Sequence, residues 1–144
     1  AGDPPAIYSQ VFSVGSINSD ESMSDFSSVG PVLVDGSLRI KPDLLAPGEA
    51  VIAANAVSSY ESVSGTSFAS PHVAGVVALM WSANPGLIGE VELTESLLRQ
   101  SANAYAGPTA DCSNIQNYDS SGIRYGILNA YEAVRLALAA GVTP

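Results

Sequence analysis

The residues best suited to chemistry lie in one short run, Ser64-Gly65-Thr66-Ser67-Phe68-Ala69-Ser70-Pro71-His72. It places a serine where a glycine turn hands over to the start of an apolar helix. The first turn of a helix carries N–H groups without intrahelical partners, and its dipole favours negative charge. An oxyanion forming beside Ser67 would be stabilised there. Pro71 falls near the helix start, where the hydrogen-bond ladder has barely begun, and helps to fix that start. A simpler role suits the same residues, because Thr66 or Ser67 can cap a helix without doing any chemistry. The sole histidine, His72, follows Ser67 by five residues. Helical positions five apart point roughly 140° from one another, which turns this imidazole away from the serine hydroxyl. Without a proton acceptor, a serine at neutral pH is a poor nucleophile. Lys41, the sole lysine, would give a Ser–Lys dyad only if folding carried it to Ser67. Asp20-Glu21 and the Glu90, Glu92 and Glu95 cluster read as solvated surface. A glycosidase pair needs two carboxylates in different environments across a cleft, and the spacing gives no sign of one.

These residues depend on elements that the pattern of apolar positions outlines. Val11 to Ile17 is a short apolar run that predicts a strand, and Asn18 to Ser28 is polar enough for a solvated loop. Gly30-Pro31 and Asp35-Gly36 are turn signals, the second closing a small hairpin between Val32-Leu33-Val34 and Leu38-Arg39-Ile40. Leu44-Leu45-Ala46 is a strand end running into Pro47-Gly48. Val51 to Ala54 and Tyr60 to Ser64 are further short strands, the latter entering a tight turn at Gly65. Ala69, Val73, Val76, Val77, Met80 and Trp81 then recur at helical spacing, with a far face so poor in charge that it predicts burial on most sides. Asn84-Pro85-Gly86 stops this helix. A second helix is expected over Val91 to Ala102, with its glutamates toward the positive end and Arg99 toward the other. Ala104 to Gly122 reads as loop. A last helix over Asn129 to Ala139 carries Ala130, Val134 and Leu138 on one stripe. Short strands mixed with mostly buried helices favour an α/β layered fold.

Composition narrows the function. The chain has 144 residues, the size of one ordinary domain, and 47% are apolar. With a mean hydropathy of +0.24, it has the means to bury a core. Five Lys+Arg against fourteen Asp+Glu give a net charge of −9, which argues against nucleic acid and against anionic lipid. No apolar stretch approaches the roughly 20 residues needed to span a bilayer; the best, Val73 to Trp81, is broken by Gly75. The opening Ala1-Gly2-Asp3-Pro4-Pro5 lacks a Met and reads as the interior of a longer chain. The single cysteine, Cys112, is either a buried inert thiol or a group paired outside this chain.

The full string Ser64 to Gly75 closely resembles the nucleophile motif of the subtilisin-like serine proteases. Phe26-Ser27-Ser28-Val29-Gly30-Pro31 resembles that family's segment between two sheet strands. Lys41-Pro42-Asp43-Leu44-Leu45-Ala46-Pro47-Gly48 resembles the strand and turn before its serine. Tyr125-Gly126-Ile127-Leu128-Asn129-Ala130, followed by Ala133-Val134, resembles its closing helix. The four segments occur in family order and are spread over most of the chain, from Phe26 to Val134. The resemblance implies a Ser-His-Asp peptidase with a mostly parallel sheet flanked by helices. Ser67 would be the nucleophile and its N–H one oxyanion donor, while Thr66, Pro5 and Ala6 would contact substrate. His72 would be a structural residue of the helix.

The family's catalytic Asp and His precede the serine. No Asp-x-Gly strand end, His-Gly-Thr segment or oxyanion asparagine stands ahead of Ser67, and Asp3 does not fill such a role. Residues 1–144 are therefore expected to be the C-terminal portion of one catalytic domain, inactive alone. Its partners would be the N-terminal half and a peptide or protein substrate. A non-catalytic pseudoenzyme or scaffold half is the alternative. Half of a parallel sheet should also leave a strand edge and an apolar surface uncovered. No cofactor is implied for the chemistry. Backbone carbonyls near Ala6 and Tyr8, with Asp43, resemble a weak structural calcium site, although Asp43 also suits a turn or cap. The family implies an extracellular location.

Overall fold

A computed structural model describes residues 4–107 and 126–142. Strands β1 (Val14–Ile17) and β2 (Leu44–Pro47) pair in parallel, with Val14 opposite Leu44 and Ile17 opposite Pro47. An antiparallel hairpin of β3 (Val51–Ala54) and β4 (Tyr60–Val63) leads into helix α1 (Thr66–Ala83). Helix α2 (Val91–Ser101), strands β5 (Asn103–Ala104) and β6 (Gly126–Ile127), and helix α3 (Ala130–Ala139) follow. The main sheet has the order β1-β2-β6-β5, and only β5 runs antiparallel to its neighbour. The expected mostly parallel α/β architecture is therefore present.

Strand β2 organises both layers. Leu44, Leu45 and Ala46 are all fully buried. Successive strand residues face opposite sides, so an unbroken apolar run is what a sheet covered on both faces requires. Leu44 and Ala46 lie in one cluster with Ala69, Val73, Val76 and Met80 of α1 and Ala133 and Ala137 of α3. Leu45 lies in another with Ile17 and Ile127, against Met23, Val29 and Tyr105. The polar loop after β1 thus covers the second face and is not simply solvated. Its serines satisfy one another or the strand: Ser24 Oγ is 2.8 Å from Ser16 Oγ, and Ser16 N–H donates to Ser27 Oγ at 2.9 Å.

Three other expectations need correction. The far face of α1 is not buried, since Ala74, Gly75 and Ala78 are exposed and Leu79 is 55% exposed. Within this chain the Ala69, Val73, Val76, Met80 stripe is buried, with Val77 and Trp81 packed partly buried beside it. On α3 the inward stripe is Ala133 and Ala137, whereas Ala130 and Leu138 face outward. The small alanines allow α3 to pack closely on α1, and Asn84 Nδ2 donates to the Ala137 and Ala140 carbonyls at 2.9 and 3.2 Å. The hairpin about Asp35-Gly36 forms as a hydrogen-bonded loop, Val32 N–H to Arg39 O at 2.8 Å, without becoming two strands. Leu38, at φ 55°, interrupts the extended run. Ala104, expected in a loop, is in β5; the rest of that segment beyond residue 107, with Cys112, lies outside the described residues, as do Asp3 and Tyr125.

The α3 assignment predicts that Ala137→Leu, which overpacks a full contact, lowers stability by about 1–3 kcal/mol. Ala130→Leu should stay within about 0.5 kcal/mol of the parent. Urea midpoints of the two variants would distinguish this stripe from the opposite one.

Candidate active site

The serine is placed by an encounter between two glycines. At the end of β2 the Gly48 carbonyl accepts the Gly65 N–H at 2.7 Å, returning the chain from the β3–β4 hairpin to the sheet. A Cβ on Gly48 would lie 2.5 Å from Ser16 Oγ and 2.9 Å from Gly65 O, so only glycine allows this approach. Gly65 itself has φ 154° and ψ 154°, a conformation that is essentially glycine's alone. It caps α1 without a side-chain hydrogen bond, so neither Thr66 nor Ser67 is the cap.

Ser67 is the second residue of α1, and its side chain is exposed. Among the described residues its hydroxyl and its N–H have no hydrogen-bond partner. Pro71 lies further into the helix than expected. Its missing N–H deprives the Ser67 carbonyl of its i+4 partner.

Ser67 lines a cleft of about 520 Å³ that brings together all four residues singled out from the sequence. Thr66, Ser67, Pro5 and Ala6 line it together with Val11 to Val14. Ser70, one helical turn beyond Ser67, also lines it and was not foreseen; its i+3 spacing was the available signal. No imidazole or carboxylate lines this cleft among the described residues.

His72 stands elsewhere. Its Nδ1 is 2.9 Å from the Phe68 carbonyl one turn back, which makes Nδ1 the donor. The ring borders a separate cleft, with Ile17, Pro47 and Ile127. Lys41 does not reach Ser67 either. Its ammonium donates to Val11 O and to Asp43 Oδ2, both at 2.6 Å, and the side chain is 5% exposed. A Ser67–Lys41 dyad is therefore ruled out by placement.

Asp43 anchors the wall on which Pro5 and Ala6 stand. Its Oδ2 also accepts Ser13 N–H at 2.8 Å and Ser13 Oγ–H at 3.1 Å, while Oδ1 accepts Arg99 at 3.0 Å. The Arg99 guanidinium lies 4.8 Å from the centre of the Phe12 ring. Arg39 adds a bond to the Ile7 carbonyl at 2.8 Å. Burial alone would raise the Asp43 carboxyl, but the bonds from Lys41, the Ser13 amide and Arg99 outweigh it and hold the group below its ordinary 3.8.

With this geometry in view, a sequence profile described as the subtilase family matches residues 2–121. The chain belongs to the subtilase family. Among its relatives, Bacillopeptidase F of Bacillus subtilis (strain 168) is 34% identical over 131 residues, covering 90% of this chain and 8% of that protein. The halolysin-like extracellular serine protease Nep of Natrialba magadii is 43% identical over 93 residues, 65% of this chain and 15% of that one. Among solved structures, the CspB protease of Clostridium perfringens superposes with a TM-score of 0.68 at 30% identity, over 95% of this chain and 29% of its own. The self-cleaved protease domain of PatA gives 0.65 at 28% identity, over 94% and 44%. This subtilase chain thus spans less than half of each of these proteins. Among its described residues, no helix is long and apolar enough to cross a membrane.

Two outcomes are expected. Gly65→Ala leaves room for the new methyl group, whose nearest contact is Phe68 Cδ2 at 3.5 Å, yet strains the backbone. It should lower stability by about 1–3 kcal/mol, read as a fall in the urea midpoint. Because the Asp43 carboxyl is depressed by folding, its contribution is complete above its ordinary 3.8 and is lost as pH falls through the lowered folded value. Urea midpoints followed from about pH 5 to about pH 2 should show this loss in the parent and a shallower one in Asp43→Asn.

Proposed function

We propose that this chain is the nucleophile-bearing, C-terminal portion of a secreted subtilase catalytic domain that cleaves peptide bonds. Ser67 Oγ attacks the scissile carbonyl, its proton passes to a base, and the oxyanion is met by the Ser67 N–H at the helix start. The amine departs with that proton, leaving an acyl-enzyme on Ser67 that water then hydrolyses. Thr66, Pro5 and Ala6 form the substrate contacts. The base and the aspartate that orients it come from a segment outside these residues.

The observation that carries this reading is that Ser67, its hydroxyl and amide unengaged among the described residues, lines a cleft that holds no base among those residues. The uncovered surfaces support it. Strand β1 ends the main sheet, and α1 exposes Ala74, Gly75, Ala78 and Leu79. An apolar groove of about 280 Å³, bordered by Phe12, Val77, Trp81, Val91 and Leu98, opens between α1 and α2. A second layer of the same domain would cover such surfaces. Secretion is supported by the extracellular relative from Natrialba magadii.

The test is labelling with a serine-directed fluorophosphonate, the modified residue being located by mass spectrometry. Ser67 should remain unlabelled in the chain alone and become labelled when the upstream segment is supplied. Losing the base costs about six orders of magnitude in turnover in subtilisin, itself a member of this family, so the contrast should be plain. Fold-dependent labelling of the chain alone would place a base within these residues and end this reading. Failure of the completed domain to label would favour a pseudoenzyme.

A further inference from the structure

We propose that the Lys41 ammonium occupies the cation position of the wall beside the cleft, so that the chain itself carries the positive charge a structural calcium ion would supply. The inference goes beyond the catalytic reading and holds whether or not Ser67 ever meets a base.

The resemblance drawn from sequence puts a weak cation among the backbone carbonyls of the Ala6–Tyr8 segment and Asp43. Calcium takes six to eight oxygen ligands, and a site with one carboxylate binds only if that carboxylate is available. Here it is not. Asp43 Oδ2 already accepts from Lys41 Nζ, Ser13 N and Ser13 Oγ, and Oδ1 accepts from Arg99. Lys41 Nζ spans the gap from this carboxylate to the Val11 carbonyl with two contacts of 2.6 Å, the short lengths of charge-assisted bonds. The stem is buried to deliver the charge there, with 5% of the side chain exposed.

Charge points the same way as distance. Asp43 is flanked by two cations, Lys41 and Arg99, the second shared with Glu95 at 3.3 Å. A calcium ion entering beside Asp43 would meet both positive charges, or would have to expel the lysine from its buried position. Arg39, two residues before Lys41, reaches the Ile7 carbonyl at 2.8 Å. Two side chains of one segment thus hold two carbonyls of the wall, Ile7 and Val11. The wall that presents Pro5 and Ala6 should therefore keep its shape without metal at this position.

Terbium, a luminescent stand-in for calcium, tests this in the full-length protein, with excitation through tyrosine. The parent should show no saturable terbium signal that Asp43→Asn removes. Lys41→Glu, which exchanges the cation for a carboxylate, should gain a saturable signal that Asp43→Asn then abolishes. A second measurement does not depend on how well Lys41→Glu folds. Hydrogen exchange of the amides of residues 6–13 in the parent should be the same in calcium as in chelator. In Lys41→Met it should be at least tenfold faster in both. Asp43-dependent terbium binding by the parent, calcium-dependent protection of residues 6–13 in the parent, or a folded Lys41→Glu variant that gains no site would each overturn the proposal.

Discussion

The approach of Gly48 to Gly65 is the constraint on which the remaining geometry rests. Three layers meet there. The end of β2 supplies the carbonyl, the turn before α1 supplies the N–H, and Ala69 of the helix lies directly beneath. A methyl group on Gly48 would fall 3.0 Å from Ala69 Cβ, in addition to its collisions with Ser16 Oγ and Gly65 O. Backbone alone fits, so the helix start is fixed against the sheet by a hydrogen bond and by close packing together. Ser67 comes two residues later, too soon for the chain to drift. The double-sided burial of β2 makes this end of the strand a firm reference point, because Leu44, Leu45 and Ala46 are immobilised from above and below.

A second, electrostatic constraint works on the segment that leads from Pro5 and Ala6 to Ser13. The chain is strongly acidic and has only five Lys and Arg residues, yet three of them, Arg39, Lys41 and Arg99, converge on one short segment and Asp43. Exposed ion pairs contribute little, and Arg135 with Glu132 on α3 is of that kind. The Lys41–Asp43 pair differs in being buried, with side chains 5% and 13% exposed. Removing one partner from such a pair leaves a charge without compensation, which is far more disruptive than its net contribution suggests. The cleft thus has one side set by apolar packing and backbone contact and another set by charge.

The sequence made the serine's setting legible because glycine, serine and an apolar period of 3.6 each leave a local signature. Strands β2, β3 and β4 and helices α1 and α2 fell close to where alternation, turns and helical spacing put them. What escaped had long-range causes. The period of α3 is satisfied by either Ala130, Val134 and Leu138 or Ala133 and Ala137, and only the closeness of α1 selects the smaller pair. The outer face of α1 is apolar without being covered in this chain, so composition and burial part company. The loop after β1 looked solvated because its serines are polar, although Ser24 and Ser16 are buried by bonding to each other. Nothing local to Lys41 indicates that it bridges Asp43, two residues on, to Val11, thirty residues back.

The β3–β4 hairpin leaves the sheet at Gly48 and rejoins it at Gly65; a 2.7 Å backbone bond closes its base, with Ala50 N–H donating to Ser64 Oγ at 3.0 Å beside it. Its outer residues face water, with Ile52, Val57 and Tyr60 exposed by 68%, 81% and 77%. The hairpin is therefore a detour whose length is decoupled from the position of the helix it precedes. Lengthening a closed loop adds only about 0.6 kcal/mol for each doubling. Residues 55–59 at its tip form a region where the chain can accept inserted sequence, from a reporter peptide to a recognition loop, without moving the serine from its place at the helix start.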